Sequence, residues 1–395
     1  MIDGSNLTCE ELMKVYNDCH GKVQIDLSEK SLNAIQKARD TVEEKLKAGE
    51  IIYGTNTDIS AMKSASAPSD RFAQAAGYAG RWDKHVELYD QMVARVAWVI
   101  LLNGFAKGTT VVTLDLSKQI LKWLNLAWNK NNKIHQLLPD VEKGSSVGFA
   151  DVVAPTILNV ETLAKYEIVN KDKAIKRDYN FASGEVLAML SSNCFTLAES
   201  AVAVEAVEKI LNLTEVATAL DIEADEANPF IVGEEAEIVA QWQSKKTVIR
   251  RLRHLLKNSK LYKKGPSSIH PYVSLRASTD ILATAREALA NTKKAVEEII
   301  NGHQGNPVIV GPWISGSQDT KTGPVAHFDS TRLFWSISSL VQALGCLAMS
   351  LGQRSQYRIN KDGFNIPEFF TRRLMVFQEA SLRDCMASAQ VSNKS

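Results

Sequence analysis

Apolar residues recur every three or four positions along most of the chain, which is the spacing of one face of an α-helix. The segment 28–47 is the first clear case, with Leu32, Ile35 and Val42 on one face. It starts at a serine, a preferred helix cap, and Gly49 follows it as a common helix stop. Further helices are predicted at residues 86–107, 115–126, 185–211, 234–261, 274–301, 325–351 and 367–389. Short strands are expected only at residues 22–27 and 51–53.

The lengths of these predicted helices indicate an all-α fold. Long helices joined by loops rich in Gly, Pro and Asn are typical of a bundle that shares one extended core. Charged residues interrupt the apolar pattern near residues 165–182, namely Lys171, Lys173, Lys176, Arg177 and Asp178. We therefore predict a loop-rich N-terminal region at residues 1–180 and a central long-helix bundle at residues 181–395.

The charge and cysteine content argue against several classes of protein. The 46 basic and 45 acidic residues give a net charge of +1, so no overall field favours nucleic acid or a membrane surface. The five cysteines show no CxxC pair and no zinc spacing, so we expect reduced thiols in a cytoplasmic protein without a metal site. The first residues lack the pattern of a signal peptide, and the longest apolar run, residues 96–102, is too short to span a bilayer.

Residues 146–155 carry the most informative motif. They read SVGFADVVAP, which resembles the S-V-G-A-S-G-D-L-A-P motif of the histidine and phenylalanine ammonia-lyase family. In that family the central Ala-Ser-Gly cyclises into the electrophile methylidene-imidazolone. The corresponding residues here are Phe149, Ala150 and Asp151, which lack the serine hydroxyl that leaves as water and the glycine whose nitrogen attacks. We therefore expect no methylidene-imidazolone and no other cofactor.

Five further segments resemble the same family and occur in the family's order. They are residues 51–58 (IIYGTNTD), 103–108 (NGFAKG), 185–190 (EVLAML), 270–276 (HPYVSLR) and 306–307 (NP). The resemblance implies the long-helix bundle of the ammonia-lyase and fumarase-aspartase superfamily, and a homotetramer whose sites draw on several subunits. The chain is similar to a shortened member, because it ends where the family continues into helices that carry a site glutamate.

The resemblance also implies roles for individual residues. Tyr53 falls on the family's loop tyrosine and is the candidate catalytic base. Tyr272 is a second candidate catalytic residue, but one extra residue between it and Arg276 makes the register of that loop ambiguous. Arg276 would bind a carboxylate through its forked guanidinium. Asp151, at the position of the family's glycine, would steer a cationic group or relay a proton.

Four residues are expected to line the substrate site. The family's asparagine falls on Ser191, with Asn193 close by as a substitute. Phe149 and Ala150 occupy the place of the missing ring. Ser268 is an outside candidate for a base, because its loop weakly resembles the G-S-S-x-M-P loop of the wider superfamily.

These roles have structural alternatives. Tyr53 could pack at the end of a strand, and Arg276 could form a salt bridge between subunits. Asp151 could cap a helix, and Phe149 could fill the space that the ring leaves.

A literal Ala-Ser-Gly occurs at residues 182–184. Because it precedes an apolar helical run, we interpret it as a helix start with Ser183 as the cap, and not as a cofactor precursor.

The one dense basic run, residues 245–264, alternates with apolar positions. It predicts an amphipathic helix with a solvated face. An acidic partner such as a carrier protein is less favoured, and nucleic acid less still, because no recognition motif accompanies the charge.

The favoured function is a lyase-like enzyme that works without methylidene-imidazolone. It would abstract a proton from an activated small-molecule substrate, with elimination, rearrangement or ring closure. Two alternatives stay open: an inactive homologue with a structural or regulatory role, and a conventional ammonia-lyase or aminomutase that uses residues 182–184.

Overall fold

The structure, a computed structural model, describes residues 1–18, 22–57, 90–126, 146–147, 150–151 and 182–361. Helices dominate these residues, which confirms the all-α prediction. The chain divides into two compact units, the first comprising residues 1–205 and 293–334 and the second residues 206–292 and 335–395. The predicted helix 367–389 lies outside the described residues. Residues 152–181 lie outside them as well, so the domain boundary predicted at 180–181 stays a prediction.

The first unit is built around the helix Gln91–Ala106. From Val93 onward nearly every side chain in it is buried. It packs against the helices Cys9–Tyr16, Glu29–Lys47 and Leu114–Leu126. A helix with apolar residues all round is stable only when neighbours cover it on every side, so this helix is the core of the unit.

Local sequence sets the start of the flanking helices. Thr8 Oγ1 accepts the backbone N–H of Glu11 at 3.2 Å, and the Glu11 carboxylate accepts the backbone N–H of Thr8 at 3.1 Å. This reciprocal pair is a capping box. Ser28 Oγ accepts a first-turn N–H of Glu29–Lys47 at 3.1 Å, so the helix predicted here is confirmed.

The single helix predicted at residues 185–211 is wrong. The structure has a short helix Glu185–Leu190, a break, and the long helix Cys194–Ala224. Ser192 Oγ accepts the backbone N–H of Cys194 at 3.2 Å. A serine side chain that bonds to the nearby backbone in this way competes with continued helix and starts a new one.

The second unit has short helices between long ones. The short elements are the 3-10 helix Pro229–Val232 and the helices Glu234–Val239, Gln243–Leu255, Leu261–Lys264 and Val273–Arg276. The long helices Cys194–Ala224, Ser278–Ile300 and Thr331–Lys361 contribute residues to both units.

Two further predicted helices need correction. The segment 234–261 is not one helix, because Trp242 turns out of the helical path to donate to Glu287 and Ser259 Oγ accepts the Leu261 N–H at 3.1 Å. The segment 325–351 begins later and ends later than predicted, at Thr331–Lys361.

The strands lie elsewhere than predicted. Residues 22–27 form only an isolated bridge through Leu27, and residues 51–53 lead into a turn. The described residues contain two small antiparallel pairs instead. These pairs are Ser146–Val147 with Ala150–Asp151, and Val308–Val310 with Lys321–Gly323. The short helix Pro312–Ser315 lies in the connection of the second pair.

Within the described part of the chain, one segment, Thr331–Arg358, is long and apolar enough to cross a membrane by length and composition. Its arginines Arg354 and Arg358 form ion pairs with Asp221 and Asp225 in the second unit. Core helices of soluble proteins pass the same length test, so the predicted absence of a membrane partner stays a prediction.

Candidate functional site

The loop that carries Tyr53 is a tight turn stabilised by its own side chains. Asn56 Oδ1 accepts the backbone N–H of Ile52 at 2.8 Å. Thr57 Oγ1 accepts the backbone N–H of Gly54 at 3.0 Å, and Gly54 has a φ of 66° that favours glycine. Tyr53 therefore lies on a loop with a defined backbone and not at a strand end.

The turn at residues 182–184 lies directly against this loop. Ser183 Oγ donates to the carbonyl oxygen of Thr55. Arg39 Nη1 donates to the carbonyl oxygens of Ser183 at 2.9 Å and Val111 at 2.7 Å, which holds the turn from its other side. The predicted role of Ser183 as a helix cap is wrong. The residue that precedes the helix is Gly184, with a φ of 87° and no side-chain cap.

Glu185 fixes the same turn to a third segment. Its side chain is fully buried, and Oε1 accepts the backbone N–H of Thr113 at 3.0 Å and the Thr113 hydroxyl at 2.6 Å. Oε2 accepts the backbone N–H of Ala182 at 2.7 Å. A carboxylate at the first turn of a helix also interacts favourably with the helix dipole. The start of Glu185–Leu190 is thus a rigid junction of three segments.

The other end of that short helix holds the predicted polar residues. Ser191 and Asn193 are both buried. Asn193 Nδ2 donates to Ser330 Oγ at 3.2 Å, whereas Asn193 Oδ1 has no hydrogen-bond partner among the described residues. Buried acceptors without a partner are rare and costly in folded proteins. A six-residue helix is about 9 Å long, so the two ends of Glu185–Leu190 are separated by about this distance.

Sequence reasoning missed His303, which belongs to the same unit. Its Nδ1 lies 2.6 Å from Thr109 Oγ1, and its Nε2 lies 3.0 Å from the carbonyl oxygen of Gly305. A carbonyl only accepts, so Nε2 donates to Gly305 and Nδ1 accepts the Thr109 hydroxyl. Burial, with smaller contributions from His327 and Lys107, lowers the pKa of His303 to about 4. The imidazole is therefore neutral near pH 7.

Two threonine hydroxyls of the first unit are buried without a partner among the described residues, as Asn193 Oδ1 is. They are Thr55 Oγ1 in the Tyr53 loop and Thr110 Oγ1, next to the threonine that bonds to His303. The indole Nε1 of Trp98 in the same unit is also buried without a partner among the described residues. Native proteins contain a few such atoms per hundred residues, and here the ones in the Tyr53 loop and at Asn193 are candidate contacts for a polar ligand.

Four residues of the SVGFADVVAP motif form a short antiparallel strand pair, Ser146–Val147 with Ala150–Asp151. Ser146 lies opposite Asp151, and Val147 lies opposite Ala150. Phe149 falls outside the described residues. The residues that would follow Asp151 in a capped helix also lie outside them, so its predicted roles stay predictions.

Tyr272 and Arg276 belong to the second unit. The Tyr272 hydroxyl donates to Asp225 Oδ2 at 2.8 Å, and its ring packs against Tyr357 with centroids 4.1 Å apart. Burial and the neighbouring carboxylates raise the pKa of Tyr272, which stabilises the neutral phenol. Arg276 Nε donates to the carbonyl oxygen of Pro271 at 2.7 Å. These contacts do not favour Tyr272 as a base, and the roles of both residues stay predictions.

Asp225, which accepts the hydrogen bond from Tyr272, belongs to a network of ion pairs between two arginines and two aspartates. Arg354 is almost fully buried and lies 3.3 Å from Asp221. Arg358 pairs with Asp221 at 2.9 Å and with Asp225 at 3.3 Å. Two arginines face two aspartates, so the cluster is neutral and stabilises the second unit.

The first part of the basic run forms an amphipathic helix as predicted, Gln243–Leu255. The run 245–264 is not one helix, however, because a separate short helix, Leu261–Lys264, follows after a break. Val248, Ile249 and Leu252 of Gln243–Leu255 are buried. Three of its arginines are paired within the unit, Arg250 and Arg253 with Glu237 and Arg251 with Glu215. Ser268, the outside candidate, bonds through its backbone to Glu226 and Asn228. Across the ranges that the structure describes, no three His, Cys, Asp or Glu side chains are grouped to hold a metal.

The family model for aromatic amino acid lyases matches residues 7–394, almost the whole chain. The chain is a member of the aromatic amino acid lyase family. The resemblance and the fold class predicted from the sequence are thereby confirmed, and the family is one of lyases.

Two histidine ammonia-lyases are among the distant relatives of this chain. Histidine ammonia-lyase 2 of Fusobacterium nucleatum is 24% identical, over 95% of this chain and 76% of that protein. Histidine ammonia-lyase of Bacillus subtilis is 23% identical, over 99% of this chain and 76% of that protein. The chain thus spans about three quarters of the length of these relatives.

Solved structures share the fold of this lyase family member. Phenylalanine aminomutase of Pantoea agglomerans gives a TM-score of 0.78 at 14% identity and covers 98% of this chain and 80% of that one. Ergothionase of Treponema denticola, an ergothioneine-degrading enzyme, gives a TM-score of 0.73 at 18% identity and covers 89% of this chain and 70% of that one.

Proposed function

We propose that this chain is a lyase-type enzyme that works without methylidene-imidazolone, with Tyr53 as the base on an activated small-molecule substrate. The single observation that carries the proposal is the arrangement at the two ends of Glu185–Leu190. One end adjoins the fixed Tyr53 loop, and the other end holds the buried, unpartnered Asn193 Oδ1.

The residues at 149–151 do not fit the family's prosthetic ring. None of Phe149, Ala150 and Asp151 has the serine hydroxyl that ring formation loses as water. The backbone of Ala150 and Asp151 is paired with Val147 and Ser146 in an antiparallel strand pair. We therefore route no step of the reaction through the ring.

The polar groups of the literal Ala-Ser-Gly at 182–184 are hydrogen-bonded to other parts of the first unit. The Ser183 hydroxyl donates to Thr55, and the Gly184 carbonyl accepts the backbone N–H of Ala188 at 3.1 Å in the first helical turn. The Ala182 N–H is bonded to Glu185. These bonds support a turn that begins a helix, which is the opposite of a strained segment ready to cyclise.

Without the electrophile, the substrate has to carry its own activation. Suitable substrates have a quaternary ammonium leaving group or an acidic C–H next to a conjugated carbonyl. Asn193 Oδ1 would accept a hydrogen bond from an N–H or O–H of the substrate, since it has no such partner among the described residues. The fold also belongs to ergothionase, so it is not restricted to the chemistry of common amino acids.

A homotetramer is the assembly that we propose. The helix Cys194–Ala224 exposes an apolar stripe with the spacing of one helix face, namely Ile210, Leu213, Val216 and Leu220. Contiguous exposed apolar surface of this kind marks a protein interface. Because four basic side chains of the helix Gln243–Leu255, Lys245, Arg250, Arg251 and Arg253, are already paired within the second unit, an acidic carrier protein is a weaker proposal.

The test measures turnover of two matched substrate sets by the wild-type chain and by Tyr53→Phe. One set consists of histidine, phenylalanine and tyrosine, and the other of their trimethylammonium derivatives, all in deuterium oxide. Proton NMR reports deuterium exchange at the substrate carbon, and ultraviolet absorbance reports the conjugated product. Tyr262→Phe is the control, because Tyr262 is exposed in the second unit.

We expect exchange or elimination only with the activated set, and a loss of at least about 100-fold in Tyr53→Phe, which is the usual contribution of a positioned general base. Turnover of the plain amino acids would support the conventional lyase instead. Binding without any exchange would support the inactive homologue, and full turnover by Tyr53→Phe would remove Tyr53 from its role.

A further inference from the structure

We propose that Ser183 is a positioning residue for Tyr53, an inference that rests on the proposed function. Ser183 does not touch the substrate in this proposal. Its hydroxyl bond to the Thr55 carbonyl fixes where the Tyr53 loop lies in the first unit.

The bond differs in kind from those that shape the loop. Asn56 and Thr57 bond to residues three to six positions away and set the local turn. Ser183 and Thr55 are 128 positions apart in the chain. The Ser183 bond therefore ties the loop to a separate part of the unit, and it acts two residues from Tyr53.

Ser183 is itself held in place on both sides. Arg39 binds its carbonyl oxygen at 2.9 Å, and Glu185 holds the preceding N–H at 2.7 Å. Gly184 lets the loop approach, because a Cβ at that position would lie only 2.7 Å from Thr55 Oγ1. Glycine next to this serine is thus explained by close packing, with no need for a ring-forming role.

The consequence for catalysis follows from the geometry that proton abstraction needs. A base has to lie within hydrogen-bond distance of the proton that it removes. A misplacement of about 1 Å costs on the order of 100-fold in rate. Loss of the Ser183 hydroxyl leaves Tyr53 chemically intact but free to shift, so kcat should fall while KM changes little.

The experiment compares Ser183→Ala with Ser183→Thr, which restores a hydroxyl, in the 395-residue chain. Ser339→Ala is the matched control, because Ser339 makes the same kind of hydroxyl-to-carbonyl bond within its own helix, to Trp335. We expect kcat to fall about 10- to 100-fold in Ser183→Ala with KM within about twofold, and to recover in Ser183→Thr. The same Ser183→Ala change in a Tyr53→Phe background should have no further effect.

A readout independent of activity accompanies the kinetics. Fluorine NMR of protein that contains 3-fluorotyrosine gives one signal for each of the nine tyrosines, and Tyr53→Phe assigns the relevant one. Ser183→Ala should shift or broaden the Tyr53 signal, and Ser339→Ala should leave it unchanged. Thermal melting of each variant shows that it is folded.

The outcomes separate the two proposals. An inactive Tyr53→Phe together with a fully active Ser183→Ala and an unchanged Tyr53 signal would overturn the positioning role alone. Full activity of Tyr53→Phe would overturn the proposed function. A further loss of activity from Ser183→Ala in the Tyr53→Phe background would show that Ser183 acts by another route, and would also overturn the inference.

Discussion

His303 should make the stability of this protein depend on pH in a defined direction. Burial lowers its pKa to about 4 in the folded chain, against an ordinary value of 6.5. Between these two values the unfolded chain binds a proton that the folded chain does not. Stability from this residue is therefore fully present above about pH 6.5 and is lost as the pH falls toward 4.

The magnitude follows from the two pKa values. Each pH unit between them is worth about 1.4 kcal/mol, so the full effect is about 3 kcal/mol. Lowering the pH from about 8 to about 5 should reduce the free energy of unfolding by about 2 kcal/mol through this residue. The replacement His303→Asn removes the titrating group. The free energy of unfolding of this variant should therefore fall by about 2 kcal/mol less than that of the wild type between about pH 8 and about pH 5.

Urea unfolding at both pH values measures the effect, with the free energy of unfolding compared between wild type and His303→Asn. His254→Asn serves as the control, because His254 is exposed on the second unit. A proton NMR titration of the His303 ring reports its pKa directly. A measured pKa at or above 6.5, or an identical pH dependence in His303→Asn, would refute the assignment of a buried neutral imidazole.

Two further predictions concern packing and charge. Gly184→Ala should lower the free energy of unfolding by about 1–3 kcal/mol, because the new Cβ would clash with Thr55 Oγ1 and the backbone φ of 87° is strained for alanine. The control Gly49→Ala has a similar φ but open space around the new Cβ, so its loss of stability should be clearly smaller. Equal losses in the two variants would contradict the argument from packing. Arg354→Met should lower the free energy of unfolding by about 3–5 kcal/mol, because it breaks a buried ion pair. Arg250→Met, which breaks an exposed ion pair, should lower it by less than about 1 kcal/mol. Urea unfolding measures both values, and the reverse order would contradict the prediction.

Local patterns in the sequence predicted several of the long helices, whereas the short helices and Cys9–Tyr16 were missed. The helix Glu29–Lys47 was predictable because its serine cap and its apolar spacing are contained within its own residues. The break at 191–193 was missed although three consecutive polar residues, Ser191, Ser192 and Asn193, interrupt the apolar pattern there. Its cause is the Ser192 side chain, which bonds to Cys194 and also to Gln304, 112 positions away.

The candidate site was only partly predictable for the same reason. The Tyr53 loop and Asn193 were found by resemblance to known motifs. The actual bond of Ser183 was hidden, since its partner Thr55 is distant in sequence and a serine before a helix more often acts as a cap. His303 carries no spacing signal at all, and its lowered pKa depends on burial that only the folded chain creates.

Intact-mass spectrometry of the purified 395-residue chain tests most directly whether this lyase family member works without methylidene-imidazolone. The measured mass should equal that of the unmodified amino-acid sequence, and peptides that span residues 149–151 and 182–184 should carry no modification. The proposed function would be contradicted by a mass that is lower by the water lost in ring closure, if peptide mapping places the loss at residues 149–151 or 182–184.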